Sequence, residues 1–234
     1  MLIANNLTKI EGNKIIINSC SFKVSKREIV GIFGPNGAGK TTSFYIIAGL
    51  IFPNSGTIRL DNKDITKLDL AQRAKCGIAY LSQESSIFED ITVYDNIMIP
   101  LEINNHPKKN RDQKVNEIMQ QMKINHLSNV KGRLLSGGER RRVEIARCWT
   151  LNPSYILLDE PTTGLDPITV EDLRIFIKKL ALMGTGIMIT DHNVKDIIPI
   201  VDRAYVMYKG EVIAQGNSDN IKNDDFVKKI YLGN

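Results

Sequence analysis

Residues 34–41 read Gly-Pro-Asn-Gly-Ala-Gly-Lys-Thr, and no other stretch of the 234-residue chain limits its fold as strongly. Such a string binds phosphate only where a buried strand runs into it and a helix leaves it. Both flanks qualify. The apolar run from Glu28 to Phe33 reads as a strand, and Lys40 to Ala48 reads as a helix. Gly34, Gly37 and Gly39 let the backbone curl with its amides turned inward, where a β-phosphate accepts several hydrogen bonds. The helix N-terminus adds partial positive charge. Lys40 is placed to reach the β- and γ-phosphates, and the Thr41 hydroxyl to ligate Mg²⁺. With Pro35, Asn36, Ala38 and Thr42 these residues form a candidate nucleoside-triphosphate site.

A chain of this length buries one good core, or one core and a smaller lobe. Its 42% hydrophobic and 24% charged content is ordinary for a globular protein. No apolar run approaches the roughly 20 residues that span a bilayer. Residues 1–6 show no basic patch followed by a hydrophobic stretch, so no export signal is expected. The three cysteines, Cys20, Cys76 and Cys148, have no metal-binding spacing and fit a reducing compartment. The net charge of +5 is scattered, with clusters at Lys108-Lys109 and Arg140-Arg141-Arg142. It fits a solvated face best, with an anionic membrane surface or nucleic acid as the alternatives.

Strand patterns fall at 14–17, 21–24, 56–60, 77–81, 155–158 and 186–190; the last three, without alternation, read as strands covered on both faces. Residues 203–208 and 211–214, separated by Lys209-Gly210, read as a hairpin. Between about Val93 and Leu151 the apolar period is helical, and Val170, Leu173, Ile177 and Leu180 stripe a further helix. The fold class is therefore α/β: a mostly parallel sheet with an antiparallel β patch near the N-terminus and a helical subdomain. The boundaries expected are a core of about 1–82 and 152–215, a helical subdomain of about 83–151, and a C-terminal segment of 216–234.

The apolar run 156–158 ends in Asp159-Glu160. Two acids there could simply mark a strand reaching solvent. Beside a phosphate loop, a strand end is where an α/β sheet places its ligand. Asp159 is then placed to hold Mg²⁺ directly or through water, and Glu160, on the other side, to polarise the water that attacks the γ-phosphate. Ser136-Gly137-Gly138 opens the helix that carries Arg140 to Thr150. It reads both as a capped helix start and as a second phosphate surface. Two phosphate cradles with one lysine suggest that the second serves another subunit's nucleotide.

In this order the motifs resemble those of the ATP-binding-cassette (ABC) ATPases, across essentially the whole chain. The resemblance implies a P-loop NTPase fold working as a head-to-tail homodimer on ATP and Mg²⁺. It makes Gln83 the glutamine that contacts Mg²⁺ and the attacking water, and His192 the switch that hydrogen-bonds the γ-phosphate. It places Asp166, in Gly164-Leu165-Asp166, in the loop bridging two subunits.

Longer strings resemble the ATPases of bacterial lipopolysaccharide export: Ser86-Ile87-Phe88, Val93 to Asn96, Gly138 to Arg147, Ile189 to Val194, and Tyr231-Leu232-Gly233. Branched-chain amino-acid import ATPases share some of them and are the alternative. An ABC ATPase acting on nucleic acid or ribosomes is disfavoured, because no second cassette, coiled-coil insertion or zinc cysteines are visible; no nucleic-acid partner is expected. The resemblance implies transmembrane permease subunits as partners, with this subunit cytoplasmic and peripheral on the inner membrane. Phe88, among polar and acidic neighbours, is either buried beneath the helical subdomain or exposed as the docking anchor for those partners, and the resemblance favours docking. At one position the chain departs from the family pattern: Glu11 stands where an aromatic residue usually stacks on adenine.

Overall fold

The computed structural model describes residues 1–218 and Ile221; the Tyr231-Leu232-Gly233 string lies outside them. Strands β1 (Leu2–Glu11) and β2 (Lys14–Val24) form a hairpin and are followed by β3 (Ile29–Phe33) and helix α1 (Lys40–Ala48). Next come β4 (Ser55–Leu60), β5 (Lys63–Asp64), α2 (Leu70–Lys75) and β6 (Ile78–Leu81). Three longer helices, α3 (Val93–Ile103), α4 (Lys108–Gln121) and α5 (Gly137–Trp149), separate β6 from β7 (Tyr155–Asp159). The chain continues through α6 (Pro167–Leu182), β8 (Gly186–Thr190), α7 (Val194–Ile197), β9 (Arg203–Tyr208) and β10 (Glu211–Asn217).

Two sheets result. A six-stranded sheet has the order β10-β9-β3-β8-β7-β6, parallel except for the β10 edge, and a four-stranded antiparallel sheet has the order β2-β1-β4-β5. Every residue of β3, β7 and β8 is buried, as their unbroken apolar runs require. The two sides of β7 face different cores. Ile156 and Leu158 pack with helical residues such as Ile97, Val143 and Phe176, whereas Tyr155 and Leu157 join Phe44, Ile46 and Ile58 below the antiparallel sheet.

Two local readings differ from the sequence expectation. β2 is one strand where two runs are expected: a register shift at the left-handed Ser19 (φ 50) absorbs the polar gap as a bulge, beside a second bulge at Asn6 (φ 49) of β1. β5 and α2 are too short to carry a period. Helix begins at Val93, where the apolar period starts, because Thr92 and Asp95 form a capping box there; the preceding segment from Ser82 is irregular.

Helix α1 is fixed at its C-terminal end. Gly49 caps it in the left-handed conformation, and the buried Arg73 guanidinium donates to the carbonyls of Ile46 and Ile47. Burial lowers the Arg73 guanidinium to about 10. Charge donated to terminal carbonyls also complements the helix dipole.

Candidate functional site

The phosphate loop leaves β3 and enters α1 with no side chain capping the helix, so the first-turn amides are left for a ligand. Gly39, at φ 99, passes so close to β2 that a Cβ would lie 2.6 Å from Ile17 Cγ2. Glycine is required there by both conformation and space. Asn36 and Gly37 are exposed at the loop tip, and Thr41 and Thr42 are half-buried in the first turn of α1. Lys40 is buried and its Nζ donates to the carbonyls of Gly34 (2.7 Å) and Pro35 (3.1 Å). Burial lowers its ammonium, while the nearby charges of Glu160, Asp159 and Asp191 act to raise it. Lys40 is thus parked on loop carbonyls from which a phosphate can draw it.

Strand pairing places Asp159 of β7 opposite Thr190 of β8. The Asp159 carboxylate accepts hydrogen bonds from Thr190 Oγ1 (2.7 Å) and from Tyr80 of β6 (3.3 Å). It is almost fully buried, and burial raises it above the usual carboxylate range. With Thr41 it supplies hard oxygen donors. That fits Mg²⁺, which takes few protein ligands and completes its shell with water and phosphate oxygens.

The next residue turns away: Glu160 has φ 44, a left-handed conformation that is costly for a side chain of this type. Its amide donates to the Thr190 carbonyl at 3.0 Å. The turn carries the Glu160 carboxylate to within 3.3 Å of His192 Nδ1 and of Thr163 Oγ1. His192 is half-exposed, whereas the adjacent Asp191 is buried and accepts from Thr162 Oγ1 (2.5 Å) and the Asn193 amide (3.0 Å). A carboxylate and an imidazole side by side, with the carboxylate close enough to Lys40 for their charges to interact, can orient and polarise a water.

Ser136 caps α5 in a capping box: its hydroxyl donates to the Glu139 carboxylate at 2.7 Å. This contact and the Ser136 amide hold Glu139 below its usual range. A Cβ on Gly138 would run into the Thr169 side chain, so α5 approaches α6 closely at this point. Asp166 caps α6, accepting from the amides of Ile168 and Thr169 and from the Thr169 hydroxyl. A cavity of about 140 Å³ brings Gln83, Gly137, Glu160 and Gly164 together. Glu11 is exposed at the tip of the β1–β2 hairpin.

Residues that sequence reasoning passed over tie these parts together. Arg141 and Glu144 of α5 are both buried and paired at 3.1 Å. Arg141 also donates to the carbonyls of Ser82 (3.0 Å) and Asp159 (3.0 Å), and Glu144 accepts from Ser85 Oγ (2.7 Å) and the Ser86 amide (2.8 Å). One pair therefore clamps the segment after β6 to the end of β7. The available signal was Glu144 between the apolar Val143 and Ile145. Tyr80, Thr190 and Asp191 were hidden within or beside apolar runs. Phe88 is 48% exposed, with the Arg147 guanidinium 4.9 Å from its ring centre, so the buried alternative does not hold.

Known proteins match this arrangement. The ABC transporter family profile fits residues 17–163. The chain belongs to the ABC transporter ATPase family. Its relatives include the lipopolysaccharide export system ATP-binding protein LptB of Haemophilus influenzae, 46% identical over all of this chain and 97% of that protein. Among solved structures, the ADP conformation of MJ1267, an ATP-binding cassette of an ABC transporter, matches with a TM-score of 0.90 and 29% identity, covering 100% of this chain and 99% of that one. A dimeric post-hydrolysis cassette, MJ0796 bound to ADP and Pi, matches with a TM-score of 0.82 and 28% identity over 93% and 99% of the two chains. The cassette fold and its P-loop NTPase architecture are thus those expected from the motifs, and the activity of the family is ATP hydrolysis.

Proposed function

We propose that this cassette is the ATP-hydrolysing motor of a lipopolysaccharide exporter, seated as a homodimer on the cytoplasmic face of the inner membrane. The observation that carries the hydrolytic part is Glu160 beside His192 and within charge range of Lys40. The 46% identity to LptB along nearly its whole length supports the transported substrate. In this reading the core comprises about 1–82 and 152–215 and the helical subdomain about 83–151.

Residues 34–42 bind the phosphates, with Lys40 moving from the Gly34 and Pro35 carbonyls onto phosphate oxygens. Thr41, Asp159 and Gln83 hold Mg²⁺, which neutralises charge on the phosphates when bound. Glu160 accepts hydrogen bonding from the attacking water, and His192 orients the γ-phosphate. Ser136, Gly137 and Gly138 serve the nucleotide of the second subunit, with Asp166 at the joint; the Ser136 hydroxyl must then turn from Glu139 toward that phosphate. Little covalent work falls to the protein, since phosphoryl transfer to water is driven by positioning and electrostatics. The dimeric cassette with ADP and Pi supports the two-subunit arrangement.

Membrane partners dock beside Phe88. A groove of about 450 Å³ runs from Phe88 past Pro100, Ile103, Arg147 and Leu151, and no described helix is long and apolar enough to cross a membrane by itself. Affinity capture from detergent-solubilised membranes tests the reading. It expects permease subunits carrying lipopolysaccharide to co-purify with the chain; capture of ribosomes or nucleic acid in their place contradicts it.

A further inference from the structure

At the end of the parallel sheet opposite the phosphate loop, a cleft of about 580 Å³ opens between the core and the helices. Loops entering three strands form its floor: Lys26-Arg27 before β3, Pro153-Ser154 before β7 and Gly184-Thr185 before β8. Lys114 and Gln121 of α4 and Trp149 of α5 form the wall. Three of the lining residues are cations and none is a carboxylate.

These cations are poorly compensated. Lys114 Nζ donates to Asn152 Oδ1 (3.0 Å) and lies 5.9 Å from the Trp149 ring centre, both neutral partners. Lys26 is near enough to Asp61 for their charges to interact, but Asp61 is already bonded to the N-terminal ammonium. Arg27 is exposed, held at φ 63, and its side chain makes no hydrogen bond or ion pair among the described residues. On the same wall, the Gln121 Oε1 atom is buried without a partner. A buried acceptor left open is uncommon in a folded protein and is met by a donor from a ligand or water.

We propose that this cleft binds a phosphate-bearing anion that bridges the helical layer and the core. Lysine and arginine form short, charge-assisted bonds to phosphate oxygens, and Arg27 can do so through two nitrogens at once. Ser154 adds a hydroxyl donor, and a hydroxyl of the ligand satisfies Gln121 Oε1. The volume lies within the range of small-molecule sites, roughly 300–1,000 Å³. Occupancy links α4 and α5 to the entries of β7 and β8, the strands that end in Asp159 and Thr190. The phosphate comes either from a free small molecule or from the headgroup of an anionic lipid.

Trp149 is the only tryptophan in the chain, so its fluorescence reports on this cleft. The test uses full-length Lys40→Ala protein, in which the phosphate loop is disabled, titrated with inorganic pyrophosphate and, separately, with phosphatidylglycerol vesicles against phosphatidylcholine controls. A saturable change with pyrophosphate supports a free anion, and a change with phosphatidylglycerol vesicles alone supports a headgroup. In either case Lys26→Gln/Arg27→Gln/Lys114→Gln must raise the dissociation constant about tenfold or more. Arg27→Gln alone, at an exposed loop position that leaves the fold intact, must weaken binding in the same direction. No response to either probe, or a response unchanged by these substitutions, overturns the proposal.

Discussion

Removing the Phe88 ring separates docking from folding. The backbone at this position is pinned independently of the ring: the Phe88 amide donates to Asn96 Oδ1 (2.9 Å), and Asn96 Nδ2 donates to the Phe88 carbonyl (3.0 Å). Phe88→Ala therefore leaves the loop in place. The ring is 48% exposed, so truncation forfeits about half the value of burying a phenylalanine, roughly 1 kcal/mol. The Arg147 guanidinium on its face adds about 0.5–1 kcal/mol. For a chain of this size a total of about 1.5–2 kcal/mol lowers the melting temperature by roughly 3–8 °C. An aromatic anchor in a docking groove is worth about 2 kcal/mol or more, at least thirtyfold in affinity. The variant is expected to keep near-normal ATPase activity in isolation while its co-purification yield with membrane subunits collapses. Capture at the wild-type yield refutes the docking role, and a fall in melting temperature far above about 10 °C refutes the assignment of Phe88 to the surface.

Two further substitutions probe the base pocket and the clamp. Glu11→Tyr supplies a ring for the adenine to stack on, worth about 1–3 kcal/mol, so titration calorimetry should show ATP binding tightened about fivefold to a hundredfold. GTP and ATP should be poorly discriminated before the change; an unaltered ATP affinity means that the hairpin tip does not meet the base. Glu144→Ala strands the buried Arg141 charge and leaves Ser85 and Ser86 without their acceptor, at a cost of about 3–5 kcal/mol. Calorimetry should record a melting temperature lower by about 6–20 °C, and a shift of only a degree or two would show that the pair is not structurally important.

Much of this site was legible in the sequence because each motif is a local string tied to a local shape. The phosphate loop dictates strand, curl and helix, and β3 and α1 follow it closely. Asp159 was legible as the end of an apolar strand. What could not be read was whatever depends on neighbours distant in the chain. The pairing of Tyr80 and Thr190 on Asp159 follows from the strand order β8-β7-β6, which no string encodes. The left-handed turn at Glu160 is invisible at a residue type that rarely adopts it. Arg141 read as part of a basic surface cluster, yet it is buried because Glu144 and three backbone carbonyls receive it. Helix periods gave α6 its buried face, Val170, Leu173, Ile177 and Leu180, but could not announce a six-residue α2.

In the function proposed above, Glu160 activates water at an ATP site completed by a second copy of the chain. Glu160→Gln keeps the shape of the side chain but removes its charge, so it should bind ATP normally and release no phosphate. Trapped ATP should then hold two chains together. Size-exclusion chromatography of this variant with ATP, run beside a phosphate-release assay, tests both halves at once. The variant should be a monomer without nucleotide and a dimer with ATP, with hydrolysis at background level. A variant that hydrolyses ATP near the wild-type rate, or that stays monomeric with ATP bound, would contradict it.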